Sequence, residues 1–145
     1  MQSIDHYHKA VRDLDIYGTP LEIATLITLV ERSLDGDWFR AYEAEERFRR
    51  LTGKVQYIFI RAHTDDRQGV AIELRATHYG LAVFNLVPER GPLSIDDYNA
   101  IVIDFFLRFI DPAALDLELF SEISPDEICA KRGRRHSATI VVADC

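Results

Sequence analysis

Three apolar segments, joined by connections too short to cross a sheet, constrain this chain more than any other feature. Val55 to Ala62 reads VQYIFIRA, Val70 to Ala76 reads VAIELRA, and Leu81 to Val87 reads LAVFNLV. Short runs this rich in β-branched and aromatic residues form strands. The connections HTDDRQG and THYG are turn-like, whereas a parallel crossover needs about a dozen residues or more. The three strands therefore form an antiparallel meander. In the middle one, Val70, Ile72 and Leu74 face the core while Glu73 and Arg75 face away, because side chains alternate along a strand.

Helices flank the meander. Thr19-Pro20-Leu21-Glu22 carries a cap, a proline at the first helical position and the glutamate of a capping box, which starts a helix over 20–34. That helix is apolar almost all round (Leu21, Ile23, Ala24, Leu26, Ile27, Leu29, Val30), which predicts a central position. Asp35-Gly36-Asp37 interrupts the chain, and Asp37 is read as the cap of a second helix from Trp38 to Leu51, stopped at Gly53. Ser94 caps a third, 94–110, in which Tyr98, Ile101, Val102, Phe105, Phe106 and Phe109 keep helical spacing up to Asp111-Pro112. Ala100, Ile103 and Leu107 add a second apolar stripe, which predicts a helix deeply buried across the sheet or, as the alternative, a contact for a second copy of the chain.

Beyond it, Leu115, Leu117 and Leu119 alternate as in a short strand, with a helical turn as the alternative, Ser124-Pro125 resembles a helix start, and Thr139 to Ala143 reads as a last strand. The fold class is α+β: N-terminal helices, an antiparallel meander of three or four strands, and a long amphipathic helix on one face. The 145 residues fit one domain, assigned to 1–130, followed by a basic tail over 131–145.

The charge is uneven. Residues 1–130 hold 23 acids and 13 bases, whereas residues 131–145 hold one acid and four bases, giving −7 in all. Between residues 89 and 127 there are ten acids against Arg90 and Arg108. Such a surface attracts basic partners and repels nucleic acid, whose binding depends on neutralising phosphates. The tail segment Lys131-Arg132-Gly133-Arg134-Arg135-His136 is the one hint of phosphate binding, and it lacks interleaved aromatics.

Most catalytic and cofactor chemistries lack their signatures. His6 and His8 lie in a segment of helical period, where rings two residues apart point about 200° away from each other. No H-E-x-x-H, C-x-x-C, G-x-S-x-G, G-x-x-x-x-G-K-[ST] or G-x-G-x-x-G occurs, so no metal or cofactor is expected. Cys129 and Cys145 are expected to be reduced thiols. His63 and His78 fall in the two hairpin loops, at opposite ends of the second strand. Glu43, Glu45 and Glu46 with Arg47, Arg49 and Arg50 are spaced for ordinary pairs on a helix surface. No basic n-region precedes an apolar run at the start, and no run suits a membrane span, so a cytoplasmic setting is expected.

The segments Phe84-Asn85-Leu86-Val87-Pro88 and Leu93-Ser94-Ile95-Asp96-Asp97-Tyr98-Asn99 are joined in this respect by Gly18 to Ala24 and by Phe109-Ile110-Asp111-Pro112-Ala113. Together they resemble a group of small bacterial cytosolic proteins over roughly residues 14–128, with the tail departing from the pattern. The resemblance implies a bacterial, non-secreted setting and carries over no activity or catalytic residue.

Two functional expectations follow. The first is a non-enzymatic, antitoxin- or immunity-like protein that binds a basic partner protein through Asp35, Asp37, Trp38, Asp96, Asp97, Asp104, Glu118 and Glu122. The second is a small-ligand-binding protein or small enzyme with a pocket between the sheet and helix 94–110, lined by His78, Asn85 and Tyr98.

Overall fold

The computed structural model describes residues 15–123 and 140–142. The readings made on residues 1–14, on Ser124-Pro125, on Cys129 and Cys145 and on the basic segment 131–136 lie outside them.

The first described strand, β1 (Asp15–Tyr17), leads into α1 (Pro20–Ser33). The capping box forms as the sequence predicts: the Glu22 amide donates to Thr19 Oγ1 at 3.1 Å and the Thr19 amide donates to Glu22 Oε1 at 2.9 Å. Burial is one-sided rather than all round. Ile23, Leu26, Ile27 and Val30 are in the core while Leu21 is 77% exposed. Thr25 and Thr28, whose hydroxyls bond back to Leu21 and Ala24 carbonyls, mark the solvent side.

The expected second helix starts later than its spacing suggests. Trp38–Arg40 is a strand, β2, and α2 runs over Tyr42–Thr52. Backbone pairing decides this: the Ala62 amide donates to the Asp37 carbonyl at 3.0 Å and the Ala41 amide to the Ile58 carbonyl at 2.8 Å. Gly53 ends α2 in the left-handed conformation, φ 75°, as expected of a glycine stop.

The meander is β3 (Gln56–Arg61), β4 (Val70–Ala76) and β5 (Gly80–Pro88), all antiparallel. The sheet is wider than the three or four strands expected. Its order is β2-β3-β4-β5-β1-β6-β7, where β6 is Ser121–Ile123 and β7 is Ile140–Val142, parallel to β6. Gly80 is required where β1 crosses: a Cβ there would lie 2.0 Å from the Ile16 carbonyl oxygen, at φ 155°. Register slips between Glu73 and Leu74, so β5 carries one extra residue between Val83 and Asn85.

The third helix also departs from its expected end. After α3 (Ile95–Phe105) the chain makes a π-helical turn over Phe106–Ile110 and continues as α4 (Asp111–Asp116). Proline lacks an amide and crowds the carbonyl four residues back. The wider π turn just before Pro112 lets the helix pass through it instead of stopping. Leu115 accordingly sits in α4, and Leu117 and Leu119 in the turns after it, rather than in a strand.

These helices pack on one face of the sheet. Phe105 lies 4.7 Å from the Trp38 ring, 5.4 Å from Phe59 and 5.2 Å from Phe109, among Ile72, Leu74, Leu86 and Val102.

Candidate functional site

Alternation along each strand assigns a second set of side chains to the face away from Phe105. The paired positions Phe39↔Ile60, Ile60↔Ala71 and Ala71↔Val87 put four apolar residues in one row across β2, β3, β4 and β5. The next row holds Ile58, Glu73 and Asn85. Around the first row lies an open groove of about 430 Å³, closed at one end by Ala62, His63, Gly69, Pro88 and Glu89. Its floor is apolar and partly open to solvent: Phe39 is 49% exposed and Val87 41%. A volume of this order lies in the range of ligand clefts, and isolated apolar residues seldom line up this way on a free surface.

The polar rim is fixed by the backbone. Glu89 Oε1 accepts from the Gly69 amide at 2.9 Å, and the Glu89 amide donates to the Gly69 carbonyl at 2.9 Å. Glu89 Oε2 faces His63 Nδ1 at 3.6 Å. Arg61 turns the other way, its guanidinium over the Trp38 ring at 5.9 Å, and burial lowers its pKa. One row further, burial raises the Glu73 carboxyl above its ordinary value against the pull of Arg75.

The acidic residues singled out by charge do not form one face. Asp35 and Asp104 come together on Arg108, at 3.1 Å for Asp104, and Asp37 pairs with Arg67 at 3.1 Å. Burial raises the Asp104 carboxyl, with Arg61 opposing. These three acids are therefore largely matched by cations. Asp96 and Asp97 are exposed in the first turn of α3, and Glu118 is exposed beyond α4, about 30 Å further along the helical path. The Glu122 side chain is outside the described set. Trp38 is 4% exposed against Phe105, so it serves the core rather than a surface.

The ligand constellation also disperses. Asn85 belongs to the open face, where its Oδ1 accepts from the Leu86 amide at 2.9 Å. Tyr98 is half-buried against the core on α3. His78 is exposed in the β4–β5 turn, its ring 5.1 Å from Tyr79 and edge-on to it. The space between sheet and α3 is filled by Phe59, Phe105 and Ile72. Of the stripe expected to meet a second copy, Ile103 is buried, Leu107 packs on the core and Ala100 alone is exposed. The intramolecular core uses the wider part of that stripe.

One network had no signal in the sequence. Glu45, read as a surface partner within its own helix, instead holds Arg40 through Nε and Nη2, each at 2.9 Å, and accepts the Ile58 amide at 2.9 Å. Arg40 also meets Glu31 at 3.3 Å and lies over the rings of Tyr42 and Tyr57, at 4.4 and 5.4 Å. Tyr42 donates its hydroxyl to the same Glu31. The donors are spent tying α1, β2, α2 and β3 together, which makes this a clamp rather than a site. On the same helix Glu46 and Arg49, 2.6 Å apart, do form a helix-surface pair of the expected kind.

Among the described residues no group of three His, Cys, Asp or Glu side chains is placed to hold a metal, and no helix is long and apolar enough to cross a membrane. No family model, no curated protein and no solved structure matches the chain.

Proposed function

We propose that this chain is a protein-binding module that seats an apolar side chain of a partner in the groove on the open sheet face. The observation that carries the reading is the in-register row Phe39, Ile60, Ala71 and Val87, with its two ends left half-exposed. Burying such surface gains roughly 25 cal/mol per Å², so an anchor residue placed there supplies much of a modest affinity. The net charge of −7 adds long-range attraction for a basic partner. The role this suits is neutralising or regulating that partner in the cytoplasm of a bacterium, as an antitoxin or immunity protein does.

The test is affinity capture from the host lysate at ~50 and ~300 mM salt, with wild type, Phe39→Asp, Val87→Asp and the helix-surface control Thr25→Asp as baits. A basic protein held by wild type and the control, weakened by salt and lost from both groove variants, is the expected result. Retention unaffected by the groove variants, or no retained protein, overturns the reading.

A further inference from the structure

We infer that Glu89 selects the residue a partner presents beside its apolar anchor, and that this residue is a lysine or arginine. The inference rests on the docking reading above and adds the chemistry of the segment that docks: an apolar side chain flanked by a base.

The argument is positional. Glu89 follows Pro88 on β5, and alternation from Val87 turns it to the open face at the end of the apolar row. Its carboxylate does not swing freely, since Oε1 is held by the Gly69 amide and its own amide is tied to the Gly69 carbonyl. Gly69 is built for this: a Cβ there would come within 3.0 Å of the Arg61 carbonyl oxygen and 3.2 Å of Glu89 Oε1. Oε2 lies 3.6 Å from His63 Nδ1, longer than a hydrogen bond, on a side chain that lines the groove. Two of the nearby cations are engaged elsewhere, while Arg90 follows Glu89 directly in the chain and donates its amide to Gln68 Oε1. Arg61 lies over Trp38, and Arg67 is held by Asp37. Among the described residues Glu89 is thus the acid that lines the groove, beside a floor of apolar atoms.

A partner side chain lying on Phe39 and Val87 brings its sequence neighbour to this rim. A cation there gains a charge-assisted bond to an oxygen already in place, with little ordering cost on this side. An acid there meets the Glu89 carboxylate instead. The pair sits at a solvated rim, so its effect is on selectivity more than on total affinity.

Selection of short random peptides displayed on phage, against wild type, Glu89→Gln, Glu89→Lys and Val87→Asp, tests this. Wild type is expected to enrich peptides with a large aliphatic or aromatic residue next to Lys or Arg. Glu89→Gln, whose amide oxygen still accepts from Gly69, is expected to keep the anchor and lose the base. In a titration with one selected peptide it binds about threefold more weakly, the scale of a solvated ion pair, and no longer distinguishes Lys from norleucine. Glu89→Lys is expected to shift the preference to Asp or Glu. A base preference that survives in Glu89→Gln and Glu89→Lys, or an anchor enriched without any neighbouring base, overturns the inference and leaves the docking groove standing. Absence of any apolar anchor, or enrichment unchanged in Val87→Asp, overturns the docking reading itself.

Discussion

The two faces of the sheet are built from the same strands and often from adjacent residues, yet they meet different fates. In β2, Trp38 and Phe39 are neighbours in the chain; Trp38 is 4% exposed under Phe105 and Phe39 is 49% exposed on the other side. In β3 and β4 the helical face holds Phe59, Ile72 and Leu74, while the far face holds the half-buried Ile60, Ala71 and Glu73 and the buried Ile58. Burial on the helical face is complete enough to account for the fold. The apolar atoms of the groove stay partly exposed and so stabilise the chain less than those under Phe105, and the docking proposed above would use them.

The largest effects are expected where the helical face is cut. Phe105→Ala removes a ring packed against three other aromatic rings, and such truncations cost about 3–5 kcal/mol. Urea unfolding followed by circular dichroism should show that loss, and a cost below about 1 kcal/mol would mean that α3 is not the main cover of the sheet. Gly80→Ala comes next. Its methyl would enter the Ile16 carbonyl, so β1 must separate from β5, at a cost of about 3 kcal/mol. Hydrogen exchange should rise at β1 and β6 before it rises at β3 and β4, and uniform protection would contradict this.

Phe39→Ala sharpens the contrast. At a half-exposed position the loss is about 1 kcal/mol or less, several times smaller than at Phe105. Capture of the partner should nevertheless fall by tenfold or so, as for an interface anchor. A variant that is as destabilised as Phe105→Ala would place Phe39 in the core, and one that binds normally would remove it from the docking surface.

How much of this was legible in the sequence follows from where each signal resides. The meander was readable because β3, β4 and β5 are six to nine residues long, enough for composition and connection length to speak. β1, β2 and β6 have three residues each, too few to show a period, and Trp38 with Phe48 and Leu51 imitates a helix stripe. α1 was given by its caps, but its width was overread because Leu21 and Ala24 are apolar yet exposed. The candidate site was hidden for a different reason. Phe39, Ile60, Ala71 and Val87 come from four separate segments, and only the register between strands lines them up. Charge counting missed the salt bridges Arg67–Asp37 and Arg108–Asp35, which match acids it had singled out, whereas the i,i+4 spacing of Asp104 and Arg108 did announce theirs.

The smallest expected effect concerns the second row of the open face. Burial outweighs Arg75 at Glu73, so its carboxyl titrates higher in the folded chain than the unfolded value of about 4.5. A group with a raised folded pKa binds its proton more tightly in the native state, so it favours folding at low pH. That contribution is complete below the unfolded pKa and is lost as pH rises through the folded one. At neutral pH the ionised Glu73 is therefore slightly unfavourable, and Glu73→Gln, of nearly the same shape, should raise the urea midpoint there. The two proteins should converge as the pH is lowered past about 4.5, where Glu73 is protonated in both states. A Glu73→Gln protein that is less stable at pH 7, with a gap that narrows on acidification, would show that Arg75 outweighs burial. The open face would then hold a charge pair that contributes to folding beside its groove, and the contrast between the two faces would be one of chemistry rather than of stability.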